Sequence, residues 1–186
     1  MVAADAPRRD DTHDPHVSRG RALMLLFQAD VRGRDPLTLL AEVTATPTDW
    51  DVLDALDDTV QLGVVPAGVL DGAAPGTLGG RVRTGAPLDD FTARIVRGVS
   101  AERVRLDAII ARHAHDWRIE RMPALDRTLL RMATWELLNE PTPMPVVLDE
   151  AITAARELST PDSGRYVNGV LSAIVRELAE EADPTT

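Results

Sequence analysis

No cysteine occurs anywhere in the 186 residues, which excludes disulfide frameworks, thiol catalysis, iron–sulfur clusters and cysteine-based zinc sites. Aromatic residues make up only 3% of the chain, so a core has to be assembled from Leu, Val, Ile, Ala and Met. No apolar run approaches the roughly 18 residues of a membrane span, and the N-terminus has Asp and Arg where a signal peptide needs a hydrophobic stretch. The expectation is a soluble, cytoplasmic protein with no membrane contact. Positive charge is also in short supply. Against 30 Asp and Glu stand 20 Lys and Arg, a formal net charge of −10, which argues against indiscriminate coating of nucleic acid because phosphate binding needs clustered cations. A local basic face remains compatible with that balance. Hydrophobic (44%) and charged (27%) residues are present in globular proportion, and the length suits one compact domain or two small subdomains.

Residues 1–16 carry two prolines, mixed charge and almost no large apolar side chains, so they read as a disordered tail. From Ser18, a good N-cap, Leu23, Leu26, Phe27 and Val31 fall at helical spacing, and a short second helix over 37–43 follows Pro36. Residues 46–87 are hard to read: 50–62 has a weak helical pattern, and the Gly/Pro-rich remainder suggests an irregular insertion. Regular pattern resumes at Leu88 with a long helix carrying Phe91, Ile95, Val99, Leu106 and Ile110. Further helices are predicted over 125–138, central because its apolar surface exceeds one stripe, over 147–158, and over 166–178. Residues 180–186 read as a fraying acidic tail. No alternating strand pattern is present, so the fold class is all-α with six to eight helices. The N-terminal subdomain would span 17–112 and the C-terminal one 113–182.

Candidate chemistry is sparse. His113, His115 and Asp116 are the densest group of metal ligands, but their spacing suggests no completed site, and a helix C-terminus with favourable dipole interactions is the better reading. Ser163 sits in a DSG sequence without the context of a nucleophile elbow and reads as a helix cap. GTLGG (76–80) lacks the Lys-Ser/Thr of a phosphate loop. Neither enzyme activity nor a cofactor is expected. The arginines carry more information: Arg127 and Arg131, four apart, share a helix face, Arg165 precedes Tyr166 at a helix start, and Arg19 and Arg21 open the first helix. From residues alone, surface ion pairs with Asp126 and Asp162 are the plainer explanation.

Two stretches change that balance. ERMPALDRTLLRMATWELL (120–138), followed by PVVLDEAITAARELSTPDSGRYVNGVLSAI (145–174), closely resembles the NusB family of bacterial transcription antitermination factors, including the closing D-S-x-x-Y/F-V-N-G-V-L motif. SRGRALMLLFQAD (18–30) is similar to that family's opening R-x-x-A-L-x-x-L-Y/F segment. The resemblance implies an all-α pair of bundles that binds boxA RNA of ribosomal RNA operons together with the small-subunit ribosomal protein NusE. Other antitermination factors and RNA polymerase would be engaged indirectly. It further implies RNA contacts at Arg19, Arg21, Arg127, Arg131, Asp162, Arg165 and Tyr166, and contacts to the protein partner at Phe27 and Asp126. The chain departs from the family pattern in two respects: Asp5, Asp10, Asp11 and Asp14 dilute the N-terminal arginine arm, and the stretch near 46–87 is long. The alternative is a protein-binding helical scaffold or homodimer with weakened RNA binding.

Overall fold

A computed structural model describes residues 14–45, 88–115 and 117–182. Of the expected disordered tail over 1–16, residues 1–13 lie outside the described residues, as do the weak helix over 50–62 and the Gly/Pro-rich insertion, whereas residues 14–16 are ordered and open the first helix. Within them the chain forms six α-helices and one 3₁₀ turn: α1 (Pro15–Arg32), α2 (Pro36–Ala45), α3 (Asp90–His113), the turn Ile119–Arg121, α4 (Ala124–Asn139), α5 (Met144–Leu158) and α6 (Ser163–Ala182). None is long and apolar enough to cross a membrane.

The first helix starts earlier than the apolar spacing predicts. Asp14 is its N-cap, accepting a 3.0 Å hydrogen bond from the His16 N–H, and Pro15 supplies a pre-set φ at the first helical position. Ser18 lies inside the helix, where its hydroxyl donates to the Asp14 carbonyl at 3.1 Å. Gly33 ends it with φ 61°, a left-handed conformation that turns its N–H back toward the carbonyls of Ala29 and Asp30. The last helix likewise starts before Tyr166 and runs past residue 180 to Ala182.

One continuous cluster of buried side chains draws on all six helices. Helices α1, α2 and α3 pack together, as do α4, α5 and α6, and α4 also packs against α1 and α3. Helix α1 is enclosed on every side from Ser18 to Ala29, whereas α3 buries one stripe, Thr92, Ile95, Val96, Val99, Leu106 and Ile110, and leaves Val104 85% exposed. Leu129, Met132, Val170, Leu171 and Ile174 are buried; Leu137 and Ile152 are only half-buried.

Asp89 caps α3, accepting from the Thr92 N–H at 2.8 Å and the Thr92 hydroxyl at 2.7 Å, and it also receives Arg21 of α1 at 3.3 Å. Burial pushes its carboxyl up, but hydrogen bonds from Thr92 and Ser18 outweigh that and hold it below the ordinary Asp value. A depressed folded-state pKa gives stability that is present above the unfolded value of about 3.9 and lost as pH falls through the folded one. Asp89→Ala should therefore lower stability by at least about 1 kcal/mol at pH 7, the loss of a cap. The gap to wild type should narrow in urea melts near pH 3. A gap independent of pH would refute the assignment.

Candidate nucleic-acid interface

Four of the arginines expected at an RNA surface are instead tied into the fold. Arg19 forks onto Glu136 of α4, with Nε and Nη2 donating to the two carboxylate oxygens at 3.0 and 2.5 Å, and its Nη1 lies 3.9 Å from Glu150 of α5. Its guanidinium carbon also sits 5.4 Å from the centre of the Phe91 ring, which Arg94 approaches at 5.2 Å. Arg21 is buried against Asp89. Arg131 forks onto Asp107 of α3 at 2.7 and 3.0 Å and reaches Asp30 at 3.5 Å. Burial works against the Arg131 charge, but Asp107 and Asp30 more than compensate and hold the guanidinium firmly protonated. Arg127, less enclosed, donates to Asp30 at 2.5 Å and to the Met122 carbonyl at 2.9 Å.

Arg127 and Arg131 thus share a face, and it is turned toward α1 and α3. Their partners are Asp30 and Asp107 rather than the Asp126 and Asp162 suggested by proximity in sequence. For a phosphate to recruit Arg19, its buried ion pair with Glu136 would have to open at about 3–5 kcal/mol, more than the roughly 1.5–3 kcal/mol of one charged hydrogen bond; the Arg131 fork is part-buried. Arg8 and Arg9 lie outside the described residues.

The start of α6 is different. Asp162 and Arg165 are exposed and Tyr166 is half-buried beside them; the Tyr166 N–H donates to the Asp162 carbonyl at 3.0 Å and opens the helix. Sequence reasoning missed a neighbour, Arg156, in the last turn of α5. It is exposed and its side chain lies across Gly164, so close that a Cβ on Gly164 would come within 2.3 Å of the Arg156 Cγ. Neither Arg156 nor Arg165 forms an ion pair among the described residues. Nothing in the order of residues marks Arg156; only the packing of α5 against α6 brings it to Arg165.

Both residues expected to meet a protein partner are enclosed. Phe27 is fully buried in the core, because α1 has no solvent-facing side at that level. Asp126 is 2% exposed and is engaged by serines: Ser159 Oγ donates to one carboxylate oxygen at 2.6 Å and Ser163 Oγ to the other at 2.8 Å. Burial raises the Asp126 carboxyl above the ordinary Asp value, and the two serine hydrogen bonds only partly oppose this. An apolar cleft of about 810 Å³ lies between the starts of α1 and α3 and the α4–α5 connection, lined by Leu88, Phe91, Pro141, Pro143 and the exposed Val146. Arg94 and Glu140 pair across it at 3.0 and 3.2 Å. His113, at the end of α3, contacts Glu177 of α6 together with Arg112, and no cluster of three or more metal-ligating residues is present among the described residues.

Comparison with known proteins identifies this arrangement. The model of the NusB family matches residues 83–176. The transcription antitermination protein NusB of Beutenbergia cavernae is 41% identical over 128 residues, 67% of this chain and 84% of its own length. That of Acidothermus cellulolyticus is 36% identical over 158 residues, 84% of this chain and 83% of its own. Among solved structures, T. maritima NusB superposes with a TM-score of 0.59 at 26% identity, covering 88% of this chain and 92% of that one. The fold is also that of a crystal structure of the antitermination factors NusB and NusE in complex with dsRNA, at a TM-score of 0.56 and 18% identity over 87% of this chain and 96% of that one. On the matched span and these identities, the chain belongs to the NusB family.

Proposed function

We propose that this chain is a transcription antitermination factor that binds boxA RNA together with NusE, as a binding adaptor rather than an enzyme, and that its RNA-contacting face is the α5–α6 corner. The observation that carries the assignment is the pair Arg156 and Arg165. Like Arg97, Arg103, Arg118, Arg121 and Arg176 they are exposed and form no ion pair among the described residues; what sets them apart is their place together at the start of α6, beside the half-buried Tyr166. Guanidinium forks suit phosphate oxygens, and a tyrosine ring beside them offers a face on which an unpaired base can stack. NusE is assigned to the apolar cleft around Phe91 and Val146, since Phe27 and Asp126 have no free surface to offer. The net charge of −10 repels RNA at long range, so binding by the chain alone should be weak and should strengthen when the partner adds contacts.

Titrating boxA RNA against salt with the NusE complex tests this. Arg165→Gln should weaken binding and flatten the log–log salt slope by up to about 0.7, one single-strand phosphate contact. Tyr166→Ala should weaken binding by about 1–3 kcal/mol with little change of slope. Val146→Asp should weaken NusE binding and leave the RNA slope alone. Wild-type RNA affinity in both α6 variants would reject the corner as the RNA site.

A further inference from the structure

Asp126 sits in the first turn of α4, yet both of its oxygens are used by a segment more than thirty residues later. Ser159 and Ser163, which hold those oxygens, are themselves 3.0 Å apart through their hydroxyls. The Thr160 hydroxyl lies 2.7 Å from Ser163 Oγ, and the Thr160 N–H donates to that same oxygen at 3.2 Å. Three side chains, Ser159, Thr160 and Ser163, therefore close the junction 159–162 around one buried carboxylate. The Ser163 N–H donates to the Thr160 carbonyl at 3.0 Å, so the first residue of α6 is tied at both backbone and side chain. Asp162, Arg165 and Tyr166 follow from that anchor. Gly164 is pressed against the Arg156 side chain, leaving no room there for a Cβ.

A buried carboxylate without a cationic partner is a poor way to add stability, because desolvation opposes it and an apolar side chain of like volume would serve the core as well. What it does supply is directional: two acceptor atoms that only one arrangement of Ser159 and Ser163 satisfies. We propose that Asp126 is the positioning residue of the RNA-contacting corner, fixing the 159–162 junction through Ser159 and Ser163 and thereby the direction in which Arg165 and Tyr166 project, rather than a contact for a protein partner. The proposal rests on the α5–α6 corner being the RNA face. The junction is ordered before RNA arrives, so binding does not have to order it.

The test uses the full chain in complex with NusE, boxA RNA affinity, and amide hydrogen exchange over 159–166. Asp126→Asn keeps one acceptor and turns the other into a donor that a reoriented serine hydroxyl can accept, so it should stay within about threefold of wild type. Asp126→Leu keeps the branching and number of side-chain heavy atoms and removes both acceptors. It should retain the helical circular dichroism signal and NusE affinity, lose about tenfold or more in RNA affinity, and exchange faster over 159–166. Should the Leu variant fail to fold, Ser159→Ala, which removes one donor, should show the same two changes in smaller measure. Unchanged RNA affinity and unchanged exchange in these variants would overturn the proposal, as would loss of NusE binding with RNA binding intact. Arg165→Gln in parallel separates the two ideas. If it leaves RNA affinity untouched, the corner is not the RNA face, and Asp126 as an RNA-positioning residue falls with it. If Arg165→Gln weakens binding while Asp126→Leu does not, the corner stands and the positioning role alone is wrong.

Discussion

Replacing Arg19 by Met is expected to destabilise the fold by about 3–5 kcal/mol, the cost of leaving a buried charge without its partner. Arg19 is 9% exposed and Glu136, opposite it, 5%. The fork between them joins α1 to α4, and the Phe91 ring above the guanidinium adds a cation–π contact of about 0.5–1 kcal/mol. Methionine fills the space but gives Glu136 nothing to neutralise it, with Glu150 close enough to add repulsion once the cation is gone. The double variant Arg19→Met with Glu136→Leu should recover most of the loss, since replacing a whole buried pair by apolar side chains is often neutral or better. Urea unfolding midpoints of the wild type, both single variants and the double variant give the comparison. A loss under about 1 kcal/mol in Arg19→Met would mean that the pair behaves as an exposed one, and Arg19 would then return as a candidate for RNA.

How far the sequence could carry the argument depended on the helix. In α3 and α6 one stripe is buried, and a 3.6-residue period gives their extent to within a few residues of Asp90–His113 and Ser163–Ala182. In α1 the pattern fails for a physical reason: with every residue from Ser18 to Ala29 buried, there is no wet side for periodicity to detect. Arg19 and Arg21 looked like exposed cations for the same reason, while Phe27, which fell on the apolar stripe, was assigned to a partner only through the family resemblance. Spacing says that Arg127 and Arg131 share a face; it does not say that the face looks inward, because Asp30 and Asp107 arrive from other helices. One compositional signal was available: all 20 cationic residues are arginine, the side chain whose planar fork suits buried bidentate pairing. Asp126 gave no local hint of its role, since its serines lie 33 and 37 residues away.

Gly98→Ala is expected to destabilise the protein by about 3 kcal/mol, although alanine is the better helix former. Gly98 lies within α3, where glycine costs roughly 0.5–1 kcal/mol relative to alanine, so propensity alone forecasts a gain. Packing reverses the sign. A Cβ at this position would stand 2.1 Å from both the Cε2 and Nε1 atoms of Trp135 on α4, where unstrained contacts between heavy atoms need about 3.5–4.0 Å. The indole is 6% exposed, a rigid ring set in the core between the two bundles, so it cannot yield more than an ångström without displacing its neighbours. Overpacking of this kind costs about 1–3 kcal/mol and occasionally more, and the upper end applies because the clash is with a ring rather than the end of a flexible chain. Trp135→Leu alone should also destabilise, by opening space beneath Gly98, and the double variant should be more stable than the sum of the two losses by about 1–3 kcal/mol. A double-mutant cycle in urea reads that coupling directly. If the two losses simply add, or if Gly98→Ala raises the midpoint, the close approach of α3 to α4 through Trp135 does not hold the two bundles together.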